Sequence, residues 1–172
     1  MPTLGVSVTI PPPWGEFLQS KRASYGDPQA LAIPPHVTLL PPTEVGEAEL
    51  AGFEEHLRAV ARQTSPFRMV LRGTGTFRPT SPVVFVTVAQ GIPSCERLEK
   101  AVRSGPVERA LDFPYHPHVT VAHHLDDAGL DLAFEDLADF RADFVVDHID
   151  LFDQNGDGVW HPRVGFALGS GG

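Results

Sequence analysis

Pro35-His36-Val37-Thr38-Leu39 and Pro117-His118-Val119-Thr120-Val121 are two copies of one five-residue string, set 82 residues apart. One His-x-Thr alone carries little information; two copies of Pro-His-Val-Thr-aliphatic in one chain carry a great deal. Each string is β-branched and apolar, which reads as a strand. Along a strand, side chains at i and i+2 share a face. Each copy therefore presents an imidazole beside a hydroxyl, with Val37 or Val119 buried behind. Two such faces brought together enclose a space with two histidines and two threonines. That suits a phosphate: hydroxyls donate to its oxygens, and imidazoles move protons on either side of phosphorus. His36, Thr38, His118 and Thr120 are the candidate catalytic residues.

Outward from the two strings, the chain repeats one order of elements. Leu4 to Ile10 alternates as a strand, and Pro11-Pro12-Pro13 ends it. Trp14, Phe17 and Leu18 then predict a helix to about Arg22. His36 to Leu40 predicts a strand ending at Pro41-Pro42. Thr43 is placed to cap a helix with the stripe Leu50, Phe53, Leu57, Val60. Phe67 to Leu71 is a strand, and Gly73-Thr74-Gly75 closes the first half. The second half repeats the order. Val83 to Ala89 is a strand, and Ser94 is placed to cap a helix carrying Leu98, Ala101 and Val102. His118 to Ala122 is a strand, and Leu130, Phe134 and Leu137 mark a helix. Phe144 to Phe152 is a strand, and Val159 to Leu168 its hairpin partner. This predicts an α+β, duplicated two-lobe fold with pseudo-twofold symmetry. Antiparallel sheets line a central cleft and the helices lie outside. The expected organisation is one domain over 1–168, its lobes dividing at about 1–75 and 76–168, with 169–172 a disordered tail.

Composition narrows the function classes. The chain has 172 residues, 42% hydrophobic and 20% charged, which is globular in kind. Its net charge is −9, which opposes wrapping a long polyanion. The expected partner is thus a small nucleotide or an RNA 3′ end, not long duplex nucleic acid. Cys95 is the single cysteine, so no internal disulfide is possible and a cytoplasmic location is the default. Met1-Pro2-Thr3-Leu4 has neither a basic segment nor a long apolar run, and no stretch approaches ~20 apolar residues. Neither a leader nor a membrane span is expected, and a monomer is.

The paired motifs resemble those of the two-histidine phosphoesterase superfamily, which includes the 2′-5′ RNA ligase family and cyclic nucleotide phosphodiesterases. Its pattern is two H-x-[TS]-aliphatic motifs roughly eighty residues apart in a duplicated α+β fold. Both are complete here, as His36-Val37-Thr38-Leu39 and His118-Val119-Thr120-Val121. Gly75-Thr76-Phe77-Arg78-Pro79, before the strand Val83 to Val88, looks like the family's glycine-aromatic segment. One departure is visible: bacterial members often carry an arginine soon after the second motif, where Ala122-His123-His124 stands here. The resemblance implies a hydrolase of RNA processing that opens 2′,3′-cyclic phosphates to a 2′-phosphate. Run in reverse, the same groups would form or cleave 2′-5′ linkages. No cofactor and no metal are implied.

Other residues carry weaker signals. Phe77 and Tyr115 are candidates to stack on a base, and Arg78, with Arg72, to meet a phosphate. His116, His118, His123 and His124 form a dense run that invites a metal. Asp153-Gln154-Asn155-Gly156-Asp157-Gly158 matches the start of a calcium loop, but Val164 stands where a twelfth-position Glu is needed, so a hairpin turn is expected. Two rival readings stay open: a non-catalytic nucleotide-binding module on the same fold, and a histidine-metal hydrolase built on the 116–124 run.

Overall fold

The computed structural model describes residues 1–169. Its elements run β1 (Thr3–Thr9), α1 (Trp14–Ser24), β2 (His36–Glu44), α2 (Glu47–Arg62), β3 (Phe67–Thr76) and β4 (Val83–Gln90), followed by α3 (Ile92–Val102), β5 (His118–His123), α4 (Asp127–Asp136), β6 (Arg141–Val146), β7 (His148–Asp153) and β8 (His161–Ala167). They form two four-stranded antiparallel sheets, ordered β2-β1-β7-β8 and β5-β4-β3-β6. Each sheet presents its motif strand, β2 or β5, at an edge, and the two edges meet. This is the duplicated α+β fold expected.

The sheets do not follow the halves of the chain. β3 joins the second sheet, and β7 and β8 return to the first. Two helices also cross over. α1, which follows β1, packs on β5; α3, which follows β4, packs on β2. Each motif strand is thus supported by a helix from the other half.

The core follows from alternation. Leu4, Val6 and Val8 of β1, and Val84, Val86 and Val88 of β4, are almost wholly buried on one face of each sheet. The amphipathic α2 buries Phe53, Leu57, Val60 and Ala61 at helical spacing, close to the predicted stripe. Each such large side chain contributes about 1.5–3 kcal/mol of apolar burial.

Several boundaries differ from expectation. β2 runs through Pro41-Pro42 to Glu44, which an edge strand permits because its outer N–H groups need no partner. Thr43 caps no helix; Gly46 precedes α2, and the Thr43 hydroxyl donates to Pro41 O at 2.7 Å. Gly91, at φ 104°, occupies the N-cap of α3, with Ser94 inside the helix. Gly73 to Gly75 lies within β3 and does not close a lobe; Gly73, at φ 73°, sits at the register break that bends this strand. The predicted strand 144–152 is two strands in different sheets, parting at Asp147. The calcium-like segment connects β7 to β8, with the Asp157 carboxylate accepting from the Val159 N–H at 2.9 Å and lying 2.9 Å from His161 Nε2. The proposed tail lies outside the described residues from 170 on, while the Gly169 N–H donates to Ala61 O and Thr64 O.

Candidate active site

The prolines of the repeated string have a structural task. A residue before proline is held extended. Pro35 and Pro117 are buried, and the carbonyls one residue ahead of them point back at the motif histidines. The His36 Nδ1–H donates to Pro34 O at 2.7 Å, and the His118 Nδ1–H donates to His116 O at 2.7 Å. A carbonyl can only accept, so both neutral rings carry their proton on Nδ1. Nε2 is left as the acceptor in each. Around His36 the Thr38 hydroxyl donates to that Nε2 at 3.1 Å. Thr120 lies level with Phe85 on β4, and its hydroxyl has no hydrogen-bond partner among the described residues.

A bulge shapes each motif strand. Ser7 faces Thr38 but Val6 faces Leu40, so Leu39 is an extra residue. Phe85 faces Thr120 but Val84 faces Ala122, so Val121 is the matching extra residue. An extra residue reverses the in–out alternation. Pro41 and His123 are thereby turned to the faces of their motif histidines.

An aromatic ring backs each histidine, lying over a strand glycine. Trp160 lies above Gly5, with its ring centroid 4.5 Å from that of His36. Phe85 lies above Gly75, 5.3 Å from His118, and Phe77 meets the same imidazole edge-on at 4.9 Å. A Cβ on Gly75 would stand 2.6 Å from Phe85, so only glycine admits this approach. These rings remove water, and burial pushes the His36 imidazolium down to about 4, helped by the nearby charges of Arg22 and His118. Burial also lowers His118, with His116 adding to it.

Thr38, His118, Phe77 and Tyr115 line a cavity of about 630 Å³. The volume falls in the range of small-molecule sites. Its mouth is formed by the loop from Arg109 to Pro114, where Leu111 and Phe113 are exposed. The Tyr115 hydroxyl donates to Thr38 O at 2.7 Å, tying this loop to the first motif. Arg109 ties it again, donating to Pro42 O at 2.7 Å and to the Thr43 hydroxyl at 3.0 Å.

Arg78 does not reach this cavity. Its guanidinium pairs with Asp131 at 2.9 Å and Asp127 at 3.7 Å on α4, and lines a separate depression. Arg72 points outward on β3, opposite Arg141 of β6. The histidine run does not converge either. His116 and His118 have ring centroids 5.9 Å apart, and His123 stacks on His124 at 3.9 Å. Among the described residues, no three His, Cys, Asp or Glu side chains gather as a metal site. Trp160 carries no motif, and the sequence offered no signal for it; only the folded register brings it here.

This combination of fold and paired motifs has known counterparts. The profile of the 2′-5′ RNA ligase superfamily matches residues 10–158, and the chain belongs to that superfamily. A Bacillus licheniformis protein named "putative phosphoesterase" is 32% identical over 157 residues, covering 90% of this chain and 92% of that protein. A Halalkalibacterium halodurans protein of the same description is 29% identical, covering 96% of each. Among solved structures, E. coli LigT complexed with 3′-AMP superposes with a TM-score of 0.73 at 20% identity, over 98% of this chain and 99% of that one.

Proposed function

We propose that this chain is a metal-independent phosphodiesterase that hydrolyses 2′,3′-cyclic phosphates of small nucleotides or RNA 3′ ends. The observation that carries the reading is the shared tautomer. Two histidines, from opposite halves of the chain, are each held by an Nδ1–H···O=C bond of 2.7 Å, leaving Nε2 as the unprotonated nitrogen of each neutral ring. Proton transfer at two ends of a phosphoryl displacement needs two such nitrogens.

One Nε2 takes a proton from the attacking water. The other, protonated, gives its proton to the departing ribose oxygen. Attack and departure are in line across phosphorus. Thr38 and Thr120 donate to the non-bridging oxygens and stabilise the charge that grows on them. The cavity takes the nucleoside, with Phe77 and Tyr115 beside the base or ribose. Named E. coli LigT structures with ATP, NADP⁺ and phosphate support a small nucleotide ligand. The net charge of −9 agrees with a substrate met at its end. With an RNA 5′-hydroxyl in place of water as the nucleophile, and the 3′ oxygen leaving as before, the same groups allow 2′-5′ ligation.

The test is incubation with a 2′,3′-cyclic nucleotide in excess chelator, followed by separation of the product isomers. A 2′-phosphate product is expected. No turnover, or turnover that chelator abolishes and added metal restores, contradicts the reading.

A further inference from the structure

An amphipathic helix should bury an apolar stripe, yet the buried stripe of α1 is Gly15, Leu18 and Arg22. The Arg22 side chain is only 5% exposed. Its Nε–H donates to Asp27 Oδ2 at 2.7 Å. That carboxylate is fully committed: Oδ2 also accepts the His123 N–H at 2.9 Å, and Oδ1 accepts the Gln29 N–H at 2.9 Å. Asp27 thus clamps Arg22 against β5 by one nitrogen. A guanidinium has five N–H donors. No group among the described residues accepts from the four on the Nη atoms. Burying such donors unmet is strongly unfavourable. Nor are they sealed, because Ser7 Oγ is the only enclosed side-chain polar atom without a partner among the described residues. The Nη groups therefore face open space.

The guanidinium sits beside the end of motif strand β5, because the Asp27 oxygen that holds it also accepts the His123 N–H. The Arg22 charge is felt by His36 on one motif strand and by His123 on the other. The bulge at Val121 turns His123 to the face of His118 and Thr120. The matching helix of the other half, α3, buries Glu99 at 4% exposure, and Glu99 lines the cavity. Glu99 is held there by Arg103 at 2.6 Å, whereas by β5 it is the guanidinium of Arg22 that is buried.

We propose that Arg22 is the phosphate-binding cation of this site, its Nη groups donating to the non-bridging oxygens held between the two motifs. The assignment rests on the phosphodiesterase reading. It gives the site charge-assisted N–H donors that neither threonine supplies.

Inorganic phosphate is the probe, followed by calorimetry and by NMR of the histidine rings. Arg22→Lys keeps the charge and a partner for Asp27 but removes the fork. The double change Arg22→Gln with Asp27→Asn removes both charges of the buried pair. Losing charge-assisted hydrogen bonds should weaken phosphate binding roughly tenfold to hundredfold in the double variant, and less in Arg22→Lys. KM for a cyclic nucleotide should rise in parallel. A purely structural Arg22 predicts wild-type phosphate affinity in whichever variant keeps its native amide spectrum, and that result overturns the proposal. Arg22→Lys decides alone if the double variant does not fold. Wild-type protein that takes up no phosphate also overturns it. If cyclic nucleotide is then still turned over, only Arg22 has failed; if it is not, the phosphodiesterase reading falls too.

Discussion

At the scale of single residues, the site is two imidazoles whose environments are alike but unequal. Both are backed by aromatic rings and bonded through Nδ1, and both are held below histidine's usual 6.5, His36 at about 4. The proposed mechanism needs one neutral and one protonated ring. In the free enzyme that state is most populated between the two lowered values. kcat/KM should therefore follow a bell lying below about pH 6.5, falling as pH rises past it. Bound phosphate is an anion and favours the imidazolium, so the kcat optimum should lie at higher pH than that of kcat/KM. Rates of cyclic nucleotide hydrolysis from pH 4 to 9 check both statements. His36→Ala and His118→Ala should each lower kcat by about 10²–10⁴, and the double variant should lose far less than the product of the two. The placement of each motif imidazole beside its threonine was legible because a period-two strand makes i and i+2 neighbours. Arg78 was not, since no spacing rule reveals that Asp127 and Asp131 wait on α4.

At the scale of elements, the alternation of apolar residues located the strands but merged two of them and missed several boundaries. Phe144 to Phe152 reads as one strand because β6 and β7 both alternate and a single residue, Asp147, parts them. Periodicity describes which face a residue takes, not which sheet it joins. The bulges were invisible for a related reason. An extra residue such as Leu39 or Val121 is as apolar as its neighbours, and only the partner strand shows that it is unpaired. The glycine beneath each aromatic ring has a testable consequence. Gly75→Ala forces Phe85 aside, and Phe85 packs on His118. Overpacking of this kind destabilises by about 1–3 kcal/mol. Thermal unfolding should show that loss, and kcat should fall although no motif residue has changed. A kcat equal to wild type would show that the ring does not position His118.

At the scale of the molecule, the two sheets exchange strands and the helices exchange supports. β3 completes the second sheet, while β7 and β8 complete the first. Neither half of the chain holds a whole sheet, so the fragment 1–76 should not fold alone, and the full chain should melt in one calorimetric transition. A folded fragment by circular dichroism and NMR would contradict this. The pseudo-twofold was legible from the paired strings; the exchange was not, because pairing between distant strands leaves no local mark. The exchange is also what seats β2 and β5 edge to edge with a histidine on each. The measurement that tests this arrangement most directly is kcat/KM for a 2′,3′-cyclic nucleotide against pH, in chelator, for the wild type and for the two single histidine variants. The wild type should give a bell, and each variant should lose one limb, a different one for His36→Ala than for His118→Ala. A two-limbed bell that survives in either variant, at wild-type height, would contradict a site in which these two imidazoles share the proton transfers.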